Sequence, residues 1–190
     1  MATNAPSTKV VTDPVRLAFV NLFEPRAGQE GQAPRYSVCL MIPKDDAKNI
    51  RKIKAAQKAA AEAGKAKFGG KIPPNLKTTL RDADDEMDME KYPEFEGHLF
   101  MNIGSSEAYP PSIVDTRVNP IIDRGEVYSG MWARVSMNAF AFNTQGNKGI
   151  SFGMNHVQKV RDDEPFGNVS RASDDFDVMD DEDEDDGGLI

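Results

Sequence analysis

Residues 126–142 alternate between two kinds of side chain, and this pattern limits the chain to a β-rich fold. Successive side chains of a strand point to opposite faces, so one set of positions faces a core and the other faces away. The odd positions are mostly small and apolar, as a barrel interior requires: Val127, Ser129, Met131, Ala133, Val135, Met137, Ala139 and Ala141. The even positions carry four aromatic rings, an arginine and two polar groups: Tyr128, Gly130, Trp132, Arg134, Ser136, Asn138, Phe140 and Phe142. The stretch therefore predicts one long strand with an aromatic outer face.

The other apolar segments predict a small set of strands around a single helix. Further strands are expected at 15–23, 35–42, 98–103 and 150–160, the last joined to the long strand by a hairpin turn at 143–149. A helix is expected to begin at Asp45 or Asp46 and to end near Gly64. Gly, Pro and charged residues predict long loops at 24–34 and 65–97, with at most a short strand near 76–80.

This inventory favours a mainly β fold, an OB-fold-type five-stranded antiparallel barrel with one inserted helix and long loops. An immunoglobulin-like sandwich would need more strands and no helix in the middle. The domain boundaries predicted from composition are a flexible N-terminal arm at 1–12, the barrel domain at 13–167 and a disordered acidic C-terminal tail at 168–190.

Charge is divided unevenly along the chain. The net charge is −8, but residues 162–190 contain 13 acidic residues and one arginine, which leaves 1–161 with a net charge of +4. Eight of the acids in that body lie between Asp82 and Glu96, and without this segment the body carries +11. A basic body with an acidic appendage is typical of chains that bind nucleic acid with one part.

The aromatic face gives this charge pattern a chemical role. Bases of a single strand stack on exposed rings, and arginine contacts phosphate or a ring. Phe100 is expected to point outward from the neighbouring strand, and Arg16, Arg26, Arg35, Arg117 and Lys148 lie where loops would border the face. The candidate nucleic-acid-binding residues are Tyr128, Trp132, Arg134, Phe140, Phe142, Phe100, Tyr109, Arg35, Arg117 and Lys148. Two alternatives stay open: the rings lie under the arm, the helix or a partner subunit, or a bulge at Gly130 exchanges the faces.

The acidic tail predicts a second, regulatory element. Ten of the thirteen residues from Asp174 to Asp186 are acidic. A polyanion tethered beside a basic groove is at high effective concentration there, so it should compete with DNA and, once displaced, recruit replication proteins. The residues assigned to this role are Asp180, Asp181, Glu182, Asp183, Glu184, Asp185 and Asp186. Duplex binding is expected to be weak, and stronger without the tail.

The sequence offers no pattern for catalysis, a metal or a cofactor. His98 and His156 are far apart, and Cys39 is the single cysteine, which reads as a buried structural thiol. The acidic run from Asp82 to Glu90 resembles a calcium loop but has Met87 where the turn glycine belongs. No apolar run is long enough to cross a membrane and no secretory signal is visible, so a cytoplasmic protein is expected.

Several stretches resemble a family of phage-encoded single-stranded DNA-binding proteins. They are Glu126–Arg134, Phe142–Gly153, Val157–Gly167 and the pair Tyr109-Pro110-Pro111 and Val114-Asp115. The resemblance covers most of 10–167. It implies an oligonucleotide-binding fold, a role in phage DNA replication or recombination, and the cytoplasm of the infected bacterial host.

Three functions therefore compete. The first is a protein that coats single-stranded DNA largely independently of sequence, either as a monomer or as a homo-oligomer. The second is a phage structural or assembly protein whose aromatic face is a protein interface. The third is a nuclease that uses the acids of Asp82 to Glu90, although adjacent acids in one loop more often form a solvated turn. Stacking surfaces accept RNA as well as DNA, so the sequence leaves that choice open.

Overall fold

The computed structural model describes residues 7–167 as eight strands and two α-helices. The strands are β1 Lys9–Val11, β2 Val15–Arg26, β3 Arg35–Pro43, β4 Arg81–Asp82, β5 His98–Ser106, β6 Ser112–Val114, β7 Trp132–Thr144 and β8 Asn147–Arg161. The helices are α1 Ala47–Ala63 and α2 Ala83–Glu86, and single 3₁₀ turns occur at Lys65–Phe68, Pro93–Phe95 and Arg124–Glu126. The part of the chain described here contains no helix long and apolar enough to span a bilayer.

Five strands close into a ring in the order β2, β3, β5, β8, β7 and back to β2. Four of these pairings are antiparallel, and the pairing of β5 with β8 is parallel. The mainly β, OB-like fold predicted from the sequence is confirmed, with the correction that the ring is not wholly antiparallel. The parallel pair arises because the long 107–131 connection carries the chain round the barrel before β7 begins.

The barrel interior is filled by the odd-numbered side chains of β7, as the alternation predicted. Ala133, Val135 and Met137 are fully buried, and they pack with Leu17, Leu40, Met101 and Phe152 from the other strands. Helix α1 packs its buried alanines and Ile53 against β7. Asp46 caps this helix by accepting the backbone N–H of Asn49, and Gly64 ends it, so both predicted boundaries are correct.

A smaller apolar cluster lies on the opposite face of β3 and β5, under the 81–95 segment. It contains Cys39, Met41, Phe95 and Phe100, with Ala18 and Ala83. Burial raises the pKa of the Cys39 thiol to about 12, in agreement with the predicted structural thiol. Phe100 does point away from the barrel interior, but it is only 4% exposed because this segment covers it.

Several boundaries differ from the sequence predictions. The long strand begins at Trp132, not at 126, because Gly130 adopts a φ of 115° and turns the chain before the strand. Residues 9–11, assigned to a flexible arm, pair with β7 as strand β1. The short strand expected near 76–80 lies at Arg81–Asp82, and β6 was not predicted. The hairpin between β7 and β8 is confirmed, and Gln145 and Gly146 form its two-residue turn with positive φ.

Candidate nucleic-acid interface

A groove of about 750 Å³ crosses the outer face of the barrel. The paired positions Lys9, Asn138, Gly153, Gly104 and Ser37 form one row across five strands, β1, β7, β8, β5 and β3. Two of these positions are glycines, so the middle of the row has no side chains and the surface is concave there. A Cβ on Gly104 would lie 2.6 Å from the carbonyl oxygen of Tyr36, so this glycine is required by the packing.

Aromatic rings border the groove at two places. Phe140 projects from β7 and is 45% exposed, and Tyr109, in the loop after β5, is 76% exposed. Both belong to the predicted set of binding residues, and both rings are open to a base. The polar lining includes Ser136, Asn138, Asn155 and His156.

Cationic side chains lie at the two ends of the groove. Lys9 lies at the β1 side and Arg35 at the β3 side, where the Arg35 guanidinium lies over Gly104. Neither cation takes part in an ion pair within residues 7–167. No acidic side chain is among the described residues that line the groove. In a chain with a net charge of −8, this is a locally cationic surface.

The outer face of β7 has a second aromatic end, and this end is covered. Residues 162–166, which we call the clasp, follow β8 directly and run beside Trp132. The indole N–H of Trp132 donates to the Asp163 carboxylate at 2.7 Å, and the Arg161 guanidinium lies 4.4 Å from the centroid of the ring. The hydrogen bond from Trp132 is the main reason that the pKa of Asp163 is lowered.

Tyr128 is held by the same clasp. Its hydroxyl lies 2.8 Å from the Asp162 carboxylate and accepts the backbone N–H of Asp163 at 3.1 Å. Partial burial, together with the hydrogen bond to Asp162, raises the pKa of Tyr128. The structure therefore divides the predicted aromatic face into an open end at Phe140 and a closed end at Trp132 and Tyr128.

Three other predicted residues lie outside the groove. Arg134 points outward between the two ends, but its guanidinium donates to the Thr12 carbonyl oxygen and lies near the Gln158 side chain. Phe142 is half-buried and packs over Gly149, next to Lys148 at the hairpin. Phe142 and Lys148 lie close to the Phe140 end of β7 and Arg134 lies closer to Trp132, and none of the three lines the groove.

Arg117 is exposed on a separate turn. The Asp115 carboxylate accepts the backbone N–H groups of Asn119 and Arg117, at 2.9 and 2.8 Å, and these bonds lower the pKa of Asp115. The turn is thus held together by its own backbone, and it does not bring Arg117 to the groove.

Phe100 is the one predicted binding residue that the structure buries. Its ring meets Phe95 edge-on, with centroids 6.1 Å apart, and the Arg81 guanidinium covers it at 5.2 Å. Alternation placed Phe100 on the correct face, but no base can reach it there. Its assignment to the binding surface is therefore corrected.

The acids of the 82–90 run stabilise the fold locally. Asp82 and Asp84 lie 2.8 and 2.6 Å from the ammonium group of Lys44 and raise its pKa. Asp82 also caps α2 by accepting the backbone N–H of Asp84. Within residues 7–167 no group of three or more His, Cys, Asp or Glu side chains is arranged to hold a metal ion.

Sequence reasoning missed several groove residues. Lys9 was assigned to a loose arm, and only the register of β1 opposite Asn138 brings it to the groove. Gly104 and Gly153 were not predicted to belong to a binding surface, although a glycine within a strand often marks a site where a ligand or another backbone approaches closely. The tail residues from Asp180 to Asp186 lie outside the described residues.

Comparisons with known proteins agree with this architecture. The solved single-stranded DNA-binding protein of bacteriophage Enc34, in complex with single-stranded DNA, has a TM-score of 0.69 at 24% identity over 88% of this chain and 97% of that one. The gp2.5 single-stranded DNA-binding protein of bacteriophage T7 shares the fold, with a TM-score of 0.60 at 12% identity over 96% of this chain and 97% of that one.

The sequence comparisons point to the same group of proteins. Protein p50 of Acyrthosiphon pisum secondary endosymbiont phage 1, described as a putative protein, is 28% identical over 175 residues, which cover 87% of this chain and 90% of p50. The family model described as Enterobacter phage Enc34, ssDNA-binding protein, matches residues 8–187. This match spans nearly the whole chain and confirms the resemblance read from the sequence. The chain therefore belongs to the Enc34 single-stranded DNA-binding protein family.

Proposed function

We propose that this protein coats single-stranded DNA, largely independently of sequence, during phage DNA replication and recombination in the cytoplasm of the host cell. The observation that carries the proposal is the groove, which combines open rings with cations and contains no acid among its described residues. Phe140 and Tyr109 offer stacking surfaces that accept any base. The Enc34 relative, solved with single-stranded DNA, supports DNA as the ligand.

The distribution of groups along the groove explains a binding mode without sequence readout. In this proposal Arg35 and Lys9 contact the phosphates, while the rings contact base faces, which all four nucleotides present. The serine and asparagine side chains on the floor can bond to sugar or base edges. Affinity should therefore depend on strand flexibility and on salt more than on sequence.

A titration of fluorescently labelled oligo-dT at several salt concentrations tests this function. Each cation that neutralises a phosphate contributes about 0.7 to the slope of log affinity against log salt on single strands. Arg35→Ala and Lys9→Ala should each reduce the slope by roughly this amount. Lys54→Ala is the control, because Lys54 is exposed on α1, away from the groove. Equal slopes for all three variants, or no binding by the unaltered chain, would contradict the proposal.

The proposal assigns to the acidic tail the role of a competitor for the same groove and a contact for replication proteins. The charge of the tail and its attachment to the same chain as a cationic groove support this role. Replacing the seven acids of 180–186 by Asn and Gln in the full chain should tighten oligo-dT binding and strengthen the weak duplex binding. Unchanged affinity for both ligands would remove the competing role from the tail.

A further inference from the structure

The covered end of β7 contains a second cluster of cations and rings. Arg16, Lys159 and Arg161 surround Trp132 and Tyr128, and all of them contact the clasp. The groups are those that bind a nucleotide elsewhere: flat rings for the base and guanidinium groups for the phosphate. In this structure acidic side chains of the same molecule occupy the cluster.

The Asp163 carboxylate lies at the centre of this cluster. Besides the bond from Trp132, it lies 3.6 Å from Arg16 Nη2 and 3.8 Å from Arg161 Nη1. The single carboxylate of Asp163 thus interacts with an indole N–H and two guanidinium groups. A phosphate oxygen has the same requirements, since it is an anionic acceptor that arginine forks and N–H donors recognise.

The rest of the clasp is held by contacts of the same kind. Arg16 donates to the Glu164 carbonyl oxygen at 2.7 Å and lies 4.3 Å from the centroid of the Phe166 ring. Lys159 pairs with Asp162 at 2.7 Å. The clasp contains neither helix nor strand, and its carboxylates are substantially exposed, at 32% for Asp163 and 72% for Asp162. Exposed ion pairs are weak and screened by salt, so a polyanion can replace them.

The position of the cluster connects it with the groove. Trp132 and Phe140 lie on the same outer face of β7, eight residues apart, which is about 26 Å at roughly 3.3 Å per residue. Ser136 and Asn138 lie between them and line the groove. A strand bound in the groove and extended past Ser136 along β7 therefore arrives at the clasp.

We propose that the Trp132 cluster is a second nucleotide-binding site, closed in the free protein by Asp163, where a DNA phosphate replaces the Asp163 carboxylate and a base stacks on Trp132. This inference rests on the proposed function. The site differs from the competing tail at 168–190, because the clasp that closes it consists of residues 162–166. Short oligonucleotides fill the groove alone, and longer ones also open the clasp.

The test uses the full chain and two lengths of oligo-dT, about four and about sixteen nucleotides, the range of site sizes for one such fold. Trp132 is the only tryptophan, so tryptophan fluorescence, excited at a wavelength that tyrosine does not absorb, reports on this site alone. The long oligonucleotide should quench it and the short one should not. Asp163→Asn should bind the long oligonucleotide about two- to fivefold more tightly, the range set by exposed ion pairs, and leave short-oligonucleotide affinity unchanged.

Glu62→Gln is the matched control, because it removes one negative charge from an exposed position on α1. Adding Arg161→Ala to Asp163→Asn should abolish the gain if Arg161 receives the phosphate, whereas a purely structural clasp predicts no effect on binding. Circular dichroism melts establish that each variant is folded. Long-oligonucleotide binding without Trp132 quenching, or equal affinities for Asp163→Asn and Glu62→Gln, would overturn the second site and leave the groove intact. Failure to bind either oligonucleotide would overturn both proposals.

Discussion

The two ends of the outer face of β7 carry similar residues in different surroundings. At the Phe140 end the ring is 45% exposed beside a glycine-floored groove. At the Trp132 end the ring lies under the clasp, bonded to Asp163 and covered by Arg161. The same alternation of small and aromatic residues produces both ends, so the pattern determines the face of the strand but not what covers it.

The cause of the difference lies in the connectivity. Strand β8 runs antiparallel to β7 and ends opposite Trp132, so the residues that follow Arg161 emerge beside this ring. At the other end the neighbours of Phe140 across the sheet are Ser151 and, diagonally, Gly153, which leave the ring uncovered. The accessibility of the side chains along one face of β7 is thus determined by where the chain continues after the neighbouring strand, β8, ends.

The largest effect is an expected loss of stability at Phe100, which the alternation assigned to the binding surface and the structure places in a buried cluster. Phe100→Ala should lower the free energy of unfolding by about 3–5 kcal/mol, as for buried phenylalanines, because it empties a packed cluster around Phe95. Phe140→Ala, at an exposed position, should change the stability by less than about 0.5 kcal/mol. Urea denaturation followed by circular dichroism measures both. A stable Phe100→Ala variant with reduced DNA affinity would restore Phe100 to the binding surface.

The fold was largely predictable because its signals are local and periodic. Alternation over β7, the cap at Asp46, the stop at Gly64 and the hairpin before Ile150 each depend on a few neighbouring residues. The pairing of β1 and the parallel contact between β5 and β8 depend on distant partners, and no local pattern encodes them. The start of β7 was predicted too early because the hydrophobic period continues through Gly130, where the backbone turns.

The site was less predictable than the fold. The residues predicted from the sequence include Phe140, Tyr109 and Arg35, which the structure places around one groove. Phe100 does not belong to the binding surface because it is buried. Local hydrogen bonds hold Arg134 and the turn that carries Arg117, and neither residue lines the groove. Solvent exposure depends on long-range packing, and for that reason the sequence could suggest the chemistry of the surface without marking its limits.

The next effect concerns the open end itself. Phe140→Ala and Tyr109→Ala should each weaken oligo-dT binding by about 1–3 kcal/mol, or roughly five- to 150-fold, because each removes a stacking surface. Ile122→Ala is the control, since Ile122 is 85% exposed and does not line the groove. Fluorescence anisotropy of labelled oligo-dT gives the affinities. Loss of affinity in Ile122→Ala equal to that in Phe140→Ala would show that the groove is not the binding surface.

The two glycines of the groove floor offer a finer comparison. Gly104→Ala should destabilise the fold by about 1–3 kcal/mol, because its Cβ would press on the Tyr36 carbonyl oxygen at 2.6 Å. Gly153→Ala meets nothing closer than a Phe140 ring carbon at 3.9 Å, so the fold should tolerate it while the methyl group narrows the groove. Thermal melts and oligo-dT titrations separate the two effects. Equal melting temperatures for both variants would contradict the close approach at Gly104.

The smallest effect is expected from protonation of the Asp163 carboxylate at the closed end of β7. Hydrogen bonds from Trp132 and the backbone of Glu164, with the nearby Arg16 and Arg161, lower the pKa of Asp163 below its ordinary value of 3.8. A lowered folded-state pKa means that the stabilising contacts are complete above 3.8 and are lost only as the pH falls through the lower folded-state value. Trp132 fluorescence should therefore stay constant from neutral pH to about pH 5, well above the Asp range.

The Asp163→Asn variant should lack the change at low pH, whereas Asp115→Asn, which removes a carboxyl group of lowered pKa that makes no hydrogen bond to Trp132, should keep it. The groups that face Asp163 from β2, β7 and β8 are Arg16, Trp132 and Arg161. None of them is a carboxylate or a histidine, so a transition between pH 5 and 7 would show that a different group closes the site. Without such a transition, the clasp remains charged and closed under physiological conditions. We therefore expect a competing anion to open it, and the phosphates of a single strand that passes along β7 supply one.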